Sequence, residues 1–240
     1  PPDLDFGDSG VTHEDAALGD PFAITGLTPS HGAFSGGTRA RIDGRGFSSK
    51  LTVIIGGNPD GGGSRLEIPP EGVLASDPTR AAIVTPAHEP GFVDVTIRDE
   101  ATKKERTLQN GFYYDPIVAV PNSGASSGGT RIAVTSAIVR LGEGTTVDVG
   151  GIPCTEPALT LEAGGTTKSS QAIACTTPAG TPGSKDIVIH PVDENGNKLP
   201  DIQARDAFTY SDAADGYRGG LSGGVLDGRI KVIAFDSALG

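Results

Sequence analysis

Two cysteines, Cys154 and Cys175, are the only thiols in this 240-residue chain, and 20 residues separate them. On residue type alone they could form a redox pair, half of a metal site or a structural disulfide. Zinc asks for four ligands in closer paired spacing, and a redox pair is ordinarily Cys-x-x-Cys. A second grouping, Asp193, Asn195 and Asn197, sets oxygens at positions one, three and five, as a calcium loop begins. Lys198 stands where an EF-hand requires Gly, however, and Ala204 where it requires Glu. Residues 187–192 and 202–210 read as strands on either side, so a hairpin tip turned at Asn195-Gly196 competes with the calcium reading and is preferred. Ser222 in Gly-Leu-Ser-Gly-Gly has no strand–turn–helix setting and no His downstream, which makes it linker rather than nucleophile. Carboxylates are plentiful, but no pair stands out for acid–base work. The twelve aromatic residues (eight Phe, four Tyr) are largely needed for cores, which argues against a carbohydrate-stacking platform.

The elements that would position these groups repeat. Pro29, Gly36-Gly37-Thr38, Thr85-Pro86 and Gly91 recur 92 residues later as Pro121, Gly128-Gly129-Thr130, Thr177-Pro178 and Gly183. Phe112-Tyr113-Tyr114 recurs as Phe208-Thr209-Tyr210, slipped to 96 by a longer loop. A period this long is a whole small domain, since solenoid units run about 20–50 residues. With 36 Gly and 18 Pro punctuating short apolar runs, the chain reads as all-β. In module one the strands fall near residues 22–27, 38–43, 51–55, 81–84 and 92–97, closing on 112–114. In module two they fall near 131–135, 146–149 and 172–175, with Ile187 and Ile189 answering Val95 and Ile97. Strands this short, without helical periodicity, make a two-sheet sandwich in each module.

The order Pro…Gly-Gly-Thr, Gly-x-Gly-Phe (44–47), Val147-Asp148-Val149-Gly150-Gly151-Ile152-Pro153-Cys154, Cys175-Thr176-Thr177-Pro178 and Phe-x-Tyr resembles the IPT/TIG domain. That is an immunoglobulin-like fold of plexins, some transcription factors and many bacterial surface proteins. The resemblance covers residues 21–115 as domain one and 116–211 as domain two. Module one lacks both cysteines: Ile83 stands 92 residues before Cys175, and the loop around Asp60 takes the partner region. Module two lacks the Gly-x-Gly-Phe turn. Similar domains bridge the positions of Cys154 and Cys175, so the resemblance implies a structural disulfide and, with it, an oxidising compartment. In such a sandwich the loops of His31 and His88 share the pole that faces the next domain. His31, His88, Glu89, Asp115 and Pro116 are therefore expected at the interdomain contact, and a His31–His88–Glu89 metal site is the competing reading. Asp115-Pro116 leaves almost no slack between modules, and proline stiffens both itself and the residue before it.

Charge and termini complete the picture. The net charge of −11 is concentrated in residues 1–20, which hold six acids and no base and read as an acidic linker. With no basic cluster, nucleic acid is excluded as a partner. Pro1 in place of an initiator Met suggests a removed leader. No apolar run approaches the roughly 20 residues that span a bilayer, although a lipid anchor upstream is compatible. Residues 212–228 read as a Gly-rich linker. Residues 229–240 (Arg229-Ile230-Lys231-Val232-Ile233-Ala234-Phe235 and a turn) read as the start of a third β domain or a donated strand. These features lead to an expected non-enzymatic spacer or binding segment of an extracytoplasmic protein. It would be secreted or held on a bacterial outer surface, and would engage a protein partner or a larger envelope assembly, as in adhesion. The alternative is an accessory segment of a larger secreted polysaccharide-acting enzyme; a transcription factor is disfavoured by charge.

Overall fold

Among the described residues, module one contributes nine strands: β1 (Ala23–Thr28), β2 (His31–Ala33), β3 (Arg39–Arg45), β4 (Leu51–Gly56), β5 (Arg65–Ile68), β6 (Leu74–Asp77), β7 (Arg80–Val84), β8 (Gly91–Asp99) and β9 (Glu105–Asp115). Alternation assigns their faces. In β7, Ala81 and Ile83 are buried while Arg80, Ala82 and Val84 are exposed, as a period of two requires. One sheet runs β1-β3-β7-β6 and the other β2-β9-β8-β4-β5. Ile42, Ile83, Val95, Ile97, Phe112 and Tyr114 fill the core between them. This computed structural model describes residues 22–57, 64–160 and 168–212. The acidic head, Ser222, the Gly-rich linker and the expected strand at 229–235 lie outside the described residues.

Module two repeats the plan with β10 (Ile117–Val120), β11 (Ser123–Ala125), β12 (Arg131–Ser136), β13 (Leu141–Gly142), β14 (Thr146–Val149), β15 (Ile152–Pro153), β16 (Thr155–Leu159), β17 (Ser169–Ser170), β18 (Ala172–Thr176), β19 (Gly183–His190) and β20 (Ile202–Ser211). Its sheets run β10-β12-β18-β16 and β11-β20-β19-β14-β15, with β13 and β17 paired apart. Each strand of module one has a counterpart here. The agreement extends to register, since Gly91 opposes Tyr114 and Gly183 opposes Tyr210. The fold is all-β, two immunoglobulin-like sandwiches in tandem, as the sequence implies. Among the described residues no helix is long and apolar enough to cross a membrane.

The two modules differ where the chain changes sheets. In module two it leaves β15, passes Cys154 and enters β16 beside β18, which carries Cys175 at its buried face. A disulfide joins Cys154 to Cys175 across a Cα–Cα distance of 5.7 Å, and the Cys154 N–H donates to the Val147 carbonyl oxygen at 2.7 Å. Module one makes the same crossing through a 3-10 turn over Pro70–Gly72. Val73, directly before β6, is buried in the core cluster that holds Ile83. A longer crossing thus brings an apolar side chain inward where the shorter one is closed by a covalent bridge. The bridge spans 21 positions, for which the chain-entropy model gives roughly 3 kcal/mol. Replacing both cysteines by alanine is expected to lower the melting transition of module two and leave that of module one in place. Differential scanning calorimetry checks this, and a single transition shifted as a whole would count against independent cores.

Candidate functional site

The repeated residues of the sequence meet at one pole of each module. Tyr114 is fully buried, and its hydroxyl donates to the Pro86 carbonyl oxygen at 2.9 Å. Tyr210 does the same to Pro178 at 2.6 Å. Each ring packs edge-on against the phenylalanine two residues earlier, with centroids 5.0 Å apart. The Thr-Pro segment is held from its other side as well. The Gly37 N–H donates to the Thr85 carbonyl oxygen and the Thr38 N–H to its hydroxyl, and Gly129, Thr130 and Thr177 repeat both bonds. Gly36 and Gly128 are required here: φ is +76° and +79°, and a Cβ would strike the backbone of Pro86 or Pro178. Burial pushes the Tyr114 hydroxyl up to about 12, and Tyr210 is raised for the same reason.

A second shared device went unseen in the sequence. Both β8–β9 and β19–β20 shift register midway, leaving Asn110 and Asp206 in the left-handed region at φ 50° and 48°. A carboxylate holds each one. The Asn110 N–H donates to Asp94 at 2.9 Å, and the Asp206 N–H donates to Asp186 at 3.0 Å. Asp186 also accepts from the Gln203 side-chain amide at 2.7 Å, fixing that side chain. Such bulges re-aim neighbouring side chains, and here they turn Asn110 and Asp206 toward the joint.

At the joint, β9 ends at Asp115 and β10 begins at Ile117, leaving Pro116 as the whole connection. Pro116 is buried, and its carbonyl oxygen accepts from the Ala137 N–H at 3.0 Å. His31, expected in a bend, lies instead on the short strand β2, parallel to β9. Its Nδ1–H donates to the buried Asp115 carboxylate at 2.8 Å, while Nε2 lies 3.9 Å from Asp206 of module two. Two clefts of ≈ 740 and ≈ 440 Å³ flank this contact and share His31, Asp115 and Arg205. Burial raises the Asp115 carboxyl despite the lowering effects of His31 and Arg205.

The other sequence candidates lie elsewhere. His88 stacks on the Tyr114 ring at 5.1 Å, and its Nδ1–H donates to the Glu89 carbonyl oxygen at 2.9 Å. These partners belong to module one, so His88 and Glu89 act on the pole itself. Among the described residues no cluster of three or more His, Cys, Asp or Glu side chains is placed to hold a metal ion. The Asp193 carboxylate accepts from the N–H groups of Asn195 and Asn197 and from the Asn197 side chain, all within 2.9 Å. Those bonds hold its pKa below the ordinary range, the Asn197 side chain contributing most. The tip is the Asn-Gly turn of the β19–β20 hairpin, with Gly196 at φ +88°. His190, which the sequence left without a role, is raised by its hydrogen bond to Asp201 and also by Asp148.

Two family matches, each described as an IPT/TIG domain, cover residues 21–114 and 118–204. No curated protein matches the chain significantly. Among solved structures, the plexin A4 extracellular region (domains 1 to 10) is 19% identical, with 80% of this chain and 16% of that one covered and a TM-score of 0.29. The Bacteroides ovatus mixed-linkage glucan utilization locus protein SGBP-B, solved with a mixed-linkage heptasaccharide, is 15% identical over 75% of this chain and 41% of that one, with a TM-score of 0.29. The I9–I11 tandem of titin is 7% identical over 75% and 62%, with a TM-score of 0.23. The chain spans under a fifth of the plexin and about two fifths of the glucan-locus protein.

A carboxyl whose pKa is raised on folding adds stability below its unfolded value, here near 3.8, and loses that contribution as pH climbs through the raised value. Asp115→Asn removes this titration. The stability of the parent relative to Asp115→Asn is therefore expected to fall as pH rises from about 4 toward neutrality. Urea midpoints of the two proteins across that range test it, and a constant difference would show that Asp115 does not titrate against burial.

Proposed function

Because the chain belongs to the IPT/TIG domain family, carrying two of its modules in direct succession, we propose that it is a non-catalytic spacer and binding segment of an extracytoplasmic surface or envelope protein. The observation that carries this reading is the joint. Strand β9 passes through a single buried proline into β10. The Asp115 carboxylate that precedes the proline is held by His31. Proline fixes its own φ and restricts the residue before it, so two sandwiches linked this way keep a set orientation instead of swinging freely. A stiff pair of modules suits holding a neighbouring domain away from a surface, or presenting the joint to a partner protein. The cystine in module two supports an oxidising compartment.

Small-angle scattering tests the spacer, with an elongated pair as the expected result. Inserting Gly-Ser-Gly-Ser between Asp115 and Pro116 should broaden the distance distribution markedly. A compact side-by-side pair, or a profile indifferent to the insertion, would refute a stiff joint. The compartment is tested separately, by intact mass of non-reduced protein from its native source. Cys154 and Cys175 are expected to be bonded, and finding both as free thiols would remove the extracytoplasmic assignment.

A further inference from the structure

Along the outer face of the five-stranded sheet of module one, three rings stand side by side on adjacent strands. His31 on β2 opposes Tyr113 on β9, and Tyr113 opposes Phe92 on β8. Phe92 is 63% exposed, and its ring lies 4.8 Å from that of Tyr113 at an angle of 59°. Neither belongs to the core. Module two supplies the control, because its residues in the same three register positions are Ser123, Thr209 and Ser184. The same sandwich forms with three small hydroxyl side chains in this row, so the fold does not require rings there. A single exposed apolar residue is unremarkable. His31 is accounted for by its bond to Asp115, but Phe92 and Tyr113, two rings replacing two hydroxyls at a cleft, are not accounted for by core packing.

The cleft over this row measures ≈ 440 Å³ and has walls from both modules. Ser30, Phe92, Asn110 and Tyr113 come from module one, and Gln203 and Arg205 from module two. We propose that it is a binding site for a neutral oligosaccharide of pyranose units. Its chemistry suits that ligand. Aromatic faces pack against the apolar C–H face of a sugar ring, while amide, hydroxyl and guanidinium groups meet the hydroxyls around its rim. The volume falls in the range of small-ligand sites, about 300–1,000 Å³. A specific protein interface instead buries about 800 Å² on each side. An extended peptide would add to a sheet edge through its backbone, whereas these rings lie on a sheet face. Arg205 is accompanied in the cleft lining by the Asp115 carboxyl, so a second charged group offsets its pull on an anionic chain. The number of rings in the sequence pointed away from such a platform because core demand was set against the total. Phe92 and Tyr113 are placed outside that demand. This proposal goes beyond the spacer reading and needs only that the joint keep its two walls together.

The test transplants module two's own residues, as Phe92→Ser with Tyr113→Thr, and compares parent and variant by amide-resolved NMR titration. The probes are cellohexaose, xylohexaose, mannohexaose and maltohexaose. The parent is expected to bind at least one with a dissociation constant of about 1 mM or tighter, and the variant about tenfold or more weakly. The shifts should centre on Phe92, Tyr113, Asn110 and Arg205. Absence of saturable shifts with all four sugars would overturn the proposal, as would undiminished binding by the variant or shifts centred elsewhere. A variant that fails to fold would overturn its premise, that the rings are dispensable to the sandwich. Unchanged scattering from a folded variant leaves the spacer reading standing whatever the sugars do, so the two ideas fail separately.

Discussion

Each sandwich is organised around one buried hydroxyl. Tyr114 and Tyr210 sit near the ends of β9 and β20, in the five-stranded sheets, and donate to carbonyl oxygens just beyond β7 and β18, in the four-stranded sheets. A phenol in an apolar core is costly unless its hydroxyl finds a partner. The bond to the Pro86 or Pro178 carbonyl supplies that partner and ties the two sheets to each other at that end. The Gly-Gly-Thr bend closes over the same Thr-Pro segment from the β3 or β12 side. The local pole is thus a closed set of bonds, and Asp115 follows Tyr114 directly in the chain. What orients the tyrosine consequently orients the joint.

The duplication separates what the sandwich demands from what each copy adds. Positions that agree, such as Asp94 with Asp186 and Gly36 with Gly128, have matching bonds and matching backbone angles. Positions that disagree show where the fold is indifferent. His88 stacks on Tyr114 where Gly180 lies against the Tyr210 ring. The cystine of module two answers an apolar crossing in module one. The ring row of module one answers hydroxyls in module two. Substitution within one chain, in one structural setting, is a sharper comparison than composition, because the backbone is held nearly constant.

Much of this was legible in the residues, and the gaps have physical causes. The 92-residue repeat named Gly-Gly-Thr and Thr-Pro, and the 96-residue recurrence of Phe-x-Tyr named the tyrosine, which together are the members of the polar clamp. Alternation located strands with one buried face, and the apolar run at residues 51–55 located the fully buried one. The strands β2, β5 and β6 were missed. His31–Ala33, Arg65–Ile68 and Leu74–Asp77 are three or four residues long, too short for a pattern to mark them, and are strands because longer neighbours offer them a ladder. The bulge carboxylates were missed because Asp94 and Asn110 meet through register rather than sequence spacing. His31 and His88 were both expected at the interdomain contact, and their rings serve different partners. One holds Asp115 and the other covers Tyr114.

The short joint and the ring-lined cleft make physical sense together. A weak ligand gripped by two domains must offset the freedom those domains lose when they close on it. With a long linker that loss falls on every binding event, whereas a joint as stiff as the one proposed would remove it before any ligand arrives. Asp115 belongs to the same arrangement, because His31 engages its buried carboxylate from the neighbouring strand while Asp206 of module two stands on the far side of the imidazole. The cleft walls are in this way held by groups in their own floor. Tyr114, next to Asp115 in the chain, anchors that floor to the opposite sheet, so a hydroxyl outside the cleft lining helps to hold the strand that carries Tyr113.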